Sequence, residues 1–132
     1  MQQTISDTIK ILLVDDSADV RRKLTRLLSA PDRLLFEAET AEIALQLITE
    51  NDFDVIFLDI MLPFGVSGLD VLKKAKEIRP ELGSVIVLTG WQESSTKMEA
   101  ELLGATYLVK APFDRQQILE EFNRALVRRR PA

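Results

Sequence analysis

The sequence predicts a single α/β domain built on a doubly wound five-stranded parallel sheet with five helices. Three observations lead there. Short apolar runs alternate five times with stretches of helical periodicity. The connections between them are short, as in repeated strand–helix units whose sheet is covered on both faces. The length, 132 residues, suits one compact domain and leaves no room for a second sizeable one.

The elements follow in order. Residues 10–14 (Lys-Ile-Leu-Leu-Val) read as a buried strand ending at Asp15 and Asp16, and Val20, Leu24, Leu27 and Leu28 mark the helix after it. Residues 34–36 form a second short strand, followed by a helix over 41–48 in which Ile43, Leu45, Leu47 and Ile48 supply apolar contacts. Residues 54–58 are a third strand ending at Asp59. Leu69, Leu72, Ala75 and Ile78 mark a helix that stops before Pro80. Residues 84–88 make a fourth strand ending at Thr89. A polar, weakly amphipathic helix spans 93–103, with Gly104 as its C-cap. Residues 106–109 form a fifth strand ending at Lys110. The last helix starts near Asp114, where Asp114 and Gln117 suggest a capping box, and carries Ile118, Phe122, Ala125 and Leu126 on one face. The expected domain covers 9–127, between an N-terminal extension (1–8) and a C-terminal tail or linker stump (128–132).

Bulk composition narrows the function. Hydrophobic residues, at 46%, suffice for a core, and the net charge of -4 argues against direct nucleic-acid binding, which selects clustered positive charge. The basic run Arg128-Arg129-Arg130 reads as a helix end complementing its own dipole, or as the start of a linker. With no cysteine there are no disulfides and no thiolate metal sites, and with no histidine there is no imidazole catalysis. No stretch approaches the ~20 apolar residues of a membrane span, and residues 1–8 do not form a signal peptide. The expected location is cytoplasmic.

The strand ends carry the chemistry. In open parallel sheets, ligands bind beyond the carboxyl ends of the strands. There the sequence sets Asp15 and Asp16, Asp59, Thr89 and Lys110. Taken singly, each has an ordinary explanation: Asp15 or Asp16 as turn former or helix cap, Asp59 as a turn start, Thr89 as a β-branched strand end, Lys110 as a solvated lysine. Together they ask for more. Three clustered carboxylates raise one another's pKa unless a cation joins them, and an all-oxygen site favours Mg²⁺, with Mn²⁺ as substitute. Three negative charges against +2 and +1 make a neutral resting site. Metal, lysine and hydroxyl together would spread the charge of an incoming phosphoryl group. Asp59 would be the nucleophile, forming an acyl phosphate.

Four pieces, Ile-Leu-Leu-Val-Asp15-Asp16, Val-Ile-Phe-Leu-Asp59-Ile-Met-Leu-Pro63, Val-Ile-Val-Leu-Thr89-Gly90 and Gly104-Ala-Thr-Tyr107-Leu-Val-Lys110, resemble the response-regulator receiver domain of two-component signalling. The likeness runs from about Ile9 to Val127. It implies the strand order 2-1-3-4-5 of a flavodoxin-like, CheY-like three-layer sandwich. It implies phosphorylation of Asp59, direct metal ligation by Asp16, ligation by Asp15 mainly through water, and a further ligand from the Met61 backbone carbonyl. Thr89 and Lys110 would each bond a phosphoryl oxygen. Tyr107 resembles the switch aromatic, turning inward when Thr89 moves. Gly90 leaves room for the donor, while Met61 and Trp91 flank the phosphoryl position and impede attacking water.

The same resemblance implies a phosphorelay switch rather than an enzyme with an external substrate, beyond catalysis of its own phosphoryl transfer and slow autodephosphorylation. The donor would be a histidine kinase or histidine phosphotransfer protein. The output would be a downstream protein or domain on the face made by the fourth helix, fifth strand and fifth helix, or a phosphorylation-dependent homodimer. Two features depart from the family: Ala111 stands between Lys110 and Pro112, and the loop Phe64-Gly65-Val66-Ser67-Gly68 is one residue longer than typical. Two other classes fit less well. A flavin carrier needs a Ser/Thr/Gly-rich phosphate loop, whereas residues 15–19 carry three aspartates. An aspartyl phosphatase places its nucleophile at the end of strand one with an Asp two positions later, which Asp15-Asp16 does not offer. A degenerate receiver that signals without phosphorylation would not need every acidic, hydroxyl and lysine position filled.

Overall fold

The structure is a computed structural model and describes residues 8–90 and 93–129. Its elements are β1 (Ile9–Val14), α1 (Ala18–Leu28), β2 (Arg33–Ala38), α2 (Ala41–Glu50), β3 (Val55–Leu58), α3 (Gly68–Ile78), β4 (Ser84–Thr89), α4 (Ser94–Leu102), β5 (Thr106–Val109) and α5 (Arg115–Arg129), with a 3-10 turn at Pro63–Gly65. All four strand pairings are parallel, and the sheet order is β2-β1-β3-β4-β5.

The core divides into two layers because successive strand residues point to opposite faces. Leu12, Val14, Ile56, Leu58, Val85 and Val87 pack on one face with Ala44 and Ile48 of α2, Leu72 and Ala75 of α3 and Ala100 of α4. Ile11, Leu13, Val55, Phe57, Ile86 and Leu88 pack on the other with Leu24 and Leu28 of α1 and Ile118, Phe122 and Ala125 of α5. Both faces are covered, so the inner strands read as unbroken apolar runs rather than alternating ones. Phe122 is fully buried, with its ring stacked on Phe57 at 6.4 Å between centroids. Burial of such a side chain contributes roughly 1.5–3 kcal/mol.

Local signals set the helix ends. Ser17, Thr40 and Ser67 accept hydrogen bonds from the backbones of Val20, Ile43 and Leu69, which caps α1, α2 and α3. Asp114 accepts from the Gln117 backbone, the forward half of the expected capping box. α4 ends at Gly104, whose φ of +89° is the left-handed value that glycine adopts without steric cost. Arg79 donates to the carbonyls of Ile48 and Thr49 and so closes the far end of α2.

Two apolar positions differ from expectation. Ile43 is exposed, and α2 buries Ala44 and Ile48 instead, because a helix presents residues four apart on one face. Ile78, at the last turn of α3, is also exposed, since the buried stripe ends at Ala75.

Candidate functional site at the carboxyl ends of the strands

The sheet ladder continues one residue past several strands, and those extra bonds build the site. The Asp15 amide donates to the Ala38 carbonyl (3.1 Å), the Asp59 amide to Val14 (2.9 Å) and the Lys110 amide to Thr89 (2.9 Å). Asp15, Asp59, Thr89 and Lys110 are thereby held along one edge. Asp15 and Asp59 are 3% and 4% exposed and Thr89 is fully buried, the buried polar residues among those described. Asp16 is exposed beside them.

Lys110 joins the group together. Its Nζ lies 2.7 Å from Asp15 Oδ2 and 2.9 Å from Asp59 Oδ2. The amine therefore reaches the acidic centre with Ala111 following it, and the Ala111–Pro112 peptide is cis. Burial pushes the Asp15 carboxyl above its ordinary pKa, against the hydrogen bonds it accepts from Lys110 and the Ser17 amide; the nearby Asp59 adds to the rise. For Lys110, burial alone would lower the amine. The hydrogen bonds to Asp15 and Asp59 outweigh burial and raise it, so it stays a cation.

One carboxylate oxygen from each of Asp15, Asp16 and Asp59 lies within 4.8 Å of the other two. The donors are all hard oxygens, two from buried residues and one from a residue open to solvent. Such a set fits a divalent cation that keeps several waters.

The other expected residues are placed as follows. Met61 is 60% exposed, its amide 3.4 Å from Asp59 Oδ1 and its backbone paired across the loop with Ser67. Gly90 is exposed, and a Cβ there would meet the Lys110 side chain at 3.8 Å. Tyr107 is half-buried; burial raises its hydroxyl pKa, and the hydroxyl has a hydrogen bond with the Glu93 backbone. Trp91 lies outside the described residues, as do 1–7 and 130–132 of the expected extension and tail. The β3–α3 loop contains two consecutive left-handed residues, Phe64 (φ 66°) and Gly65 (φ 69°).

Several contributors were not legible beforehand. Ser17, not Asp15 or Asp16, caps α1, and Asp15 Oδ1 accepts from the Ser17 amide at 2.8 Å. Arg21 of α1 hydrogen-bonds the Asp15 carbonyl, and Gly68 at the start of α3 donates to the Ile60 carbonyl at 2.7 Å. A serine straight after the acidic pair was the available signal for the first. The other two depend on contacts made only in the folded chain.

Comparison with known proteins agrees with this geometry. Residues 11–123 match the response regulator receiver domain. The chain is 31% identical over 117 residues to sporulation initiation phosphotransferase F of Bacillus subtilis (strain 168), covering 89% of this chain and 93% of that protein. It is also 31% identical over 129 residues to the transcriptional regulatory protein ResD of the same organism, but spans only 51% of it. Among solved structures, a CheY-like receiver domain protein from Methanospirillum hungatei JF-1 superposes with a TM-score of 0.84 at 27% identity, over 92% of this chain and 96% of that one. A Burkholderia pseudomallei response regulator with a phosphorylated aspartic acid and a calcium ion gives 0.74 at 28% identity, over 84% and 64%. By sequence match, strand order and the acidic site at the strand ends, this chain belongs to the response regulator receiver domain family.

Proposed function

We propose that Asp59 is the phosphoacceptor of this receiver domain and that Asp15, Asp16, Thr89 and Lys110 form its working site. The bridging of Asp15 and Asp59 by Lys110 Nζ at 2.7 and 2.9 Å carries this reading. It sets a fixed cation beside the oxygen that must approach a phosphate. Asp59 attacks phosphorus of a phosphohistidine; the O–P bond forms, the P–N bond breaks, and the electron pair leaves with the imidazole nitrogen. These 132 residues contain no histidine, so the phosphohistidine lies outside them, on a histidine kinase or a phosphotransfer protein. Asp15, Asp16, Asp59 and the Met61 carbonyl would hold Mg²⁺, or Mn²⁺ in its place. The metal supplies charge neutralisation at the transferred group.

Lys110 would pair with one phosphoryl oxygen and the Thr89 hydroxyl with another. Tyr107, whose hydroxyl has a hydrogen bond with the backbone of Glu93 just before α4, would couple movement of Thr89 to α4. The output face is α4–β5–α5. A cleft there is lined by Glu93, Ser94, Lys97, Tyr107, Leu108, Val109 and Gln117, drawn from α4 and its N-cap, β5 and α5. α4 itself buries Ala100 and leaves Met98 and Leu102 exposed. A downstream protein, an output domain or a second copy would read this face, in the cytoplasm. Met61, Gly90 and Trp91 tune access of donor and water and so the rate of autodephosphorylation.

The test is direct. Incubation with Mg²⁺ and acetyl phosphate should add one phosphoryl mass, and beryllofluoride should change the emission of Trp91, the single tryptophan. A missing metal-dependent adduct, or one that survives Asp59→Ala, overturns the assignment.

A further inference from the structure

We infer that Arg21 and Glu37 form a clamp that orients the acidic loop and thereby sets its metal affinity. This rests on the reading of Asp15, Asp16 and Asp59 as the metal site. Arg21 lies one turn into α1, with its amide bonded to the carbonyl of the cap residue Ser17 at 3.1 Å. Its Nη1 donates to the Asp15 main-chain carbonyl at 2.5 Å, and its Nε to Glu37 Oε1 at 2.6 Å. The Arg21 side chain is only 13% exposed, while that of Glu37 is 51% exposed, so Arg21 is held against the loop and Glu37 meets it from the solvent side.

The carbonyl that Arg21 holds belongs to the peptide joining Asp15 to Asp16. Asp15 is secured at every other polar group: its amide to Ala38, Oδ1 to the Ser17 amide, Oδ2 to Lys110. Asp16 has an exposed side chain, and the bond from Arg21 is what fixes the plane of the peptide that aims it. A positioning residue of this kind lowers the cost of gathering ligands around a cation.

Glu37 completes the device by charge. It sits on β2 beside Leu13, next to Ala38, which accepts the Asp15 amide. An unneutralised guanidinium beside the acidic cluster would repel a divalent ion, and the Glu37 carboxylate cancels that charge. The two residues thus have separable roles, Arg21 in geometry and Glu37 in electrostatics.

Thermal denaturation across a Mg²⁺ titration tests this, because the metal-free midpoint reports structure and the Mg²⁺-dependent shift reports affinity. Arg21→Met should raise the apparent Kd for Mg²⁺ on the order of tenfold. Arg21→Lys, which reaches one acceptor, should fall between it and the wild type. Glu37→Gln should also weaken binding, the more so at low salt. If Arg21→Met does not fold, Arg21→Lys and Glu37→Gln carry the test. Apparent affinities within about twofold of wild type in the folded variants overturn the clamp, whatever happens to the metal-free midpoint. A wild-type protein with no Mg²⁺-dependent shift, or a shift that Asp16→Ala retains, overturns the metal site itself and the clamp with it.

Discussion

The Cβ that an alanine would add at Gly68 falls 2.1 Å from the main-chain carbonyl oxygen of Asp59. The amino end of α3 is thus seated directly on the backbone that carries the acidic residue, and the Gly68 amide bonds the next carbonyl, that of Ile60, at 2.7 Å. Nothing between them is a flexible side chain, so relief of the clash must move backbone. Gly68→Ala should cost roughly 1–3 kcal/mol in urea denaturation and reduce beryllofluoride binding as Asp59 shifts. Gly65→Ala is the control: open space surrounds that position, so only its left-handed strain is felt and binding should hold. Equal binding by Gly68→Ala and wild type would show that the site tolerates the shift.

Lys110 provides the second expectation. Its Nζ is a cation lying between the Asp15 and Asp59 carboxylates. Removing one partner of a buried ion pair typically costs about 3–5 kcal/mol. The Lys110 side chain is 16% exposed, so Lys110→Ala should cost less, on the order of 2 kcal/mol. Mg²⁺ should then stabilise the variant more than the wild type, since it no longer competes with an ammonium for the same oxygens. Chemical denaturation with and without Mg²⁺ measures both. An unchanged metal-free stability would remove the pairing from consideration.

Much of this site was legible because Asp15, Asp59, Thr89 and Lys110 sit at the carboxyl ends of strands. A strand buried on both faces is a continuous apolar run whose end is easy to see. Asp59 directly follows Val-Ile-Phe-Leu, and Lys110 directly follows Thr-Tyr-Leu-Val. The positions of Arg21, Glu37 and Gly68 were not visible that way. Arg21 and Glu37 are sixteen residues apart and meet only after β2 pairs with β1. The value of Gly68 lies in an absent side chain. Ile43 failed for a different reason: with apolar residues at 43, 45, 47 and 48, periodicity left two faces open, and packing chose that of Ala44 and Ile48.

Asp15 leads to a pH dependence. Burial raises its folded-state pKa above the ordinary 3.8, so the folded protein takes up this proton more readily than the unfolded chain. By linkage, the charged form costs stability above the folded value, and the cost disappears as pH falls below 3.8. Asp15→Asn keeps an oxygen to accept from the Ser17 amide but carries no charge. In chelator at neutral pH the variant should be at least as stable as wild type, with the difference shrinking as pH falls toward that range. Added Mg²⁺ should stabilise wild type and not the variant. A wild-type advantage in chelator at neutral pH would contradict the assignment of burial as the dominant influence.

The last expectation concerns Phe64, which is 90% exposed and holds a left-handed φ of 66°. For a residue with a Cβ this conformation costs roughly 1–2 kcal/mol, and the exposed ring recovers little of it by packing. Asparagine tolerates the same region, because its short side chain bonds the local backbone. Phe64→Asn should therefore stabilise the protein by about 0.5–1 kcal/mol in urea denaturation. The carboxylates of Asp15, Asp16 and Asp59 keep their partners, so beryllofluoride should still bind. If the variant is instead less stable, the phenyl ring makes a contact in solution that outweighs the backbone strain.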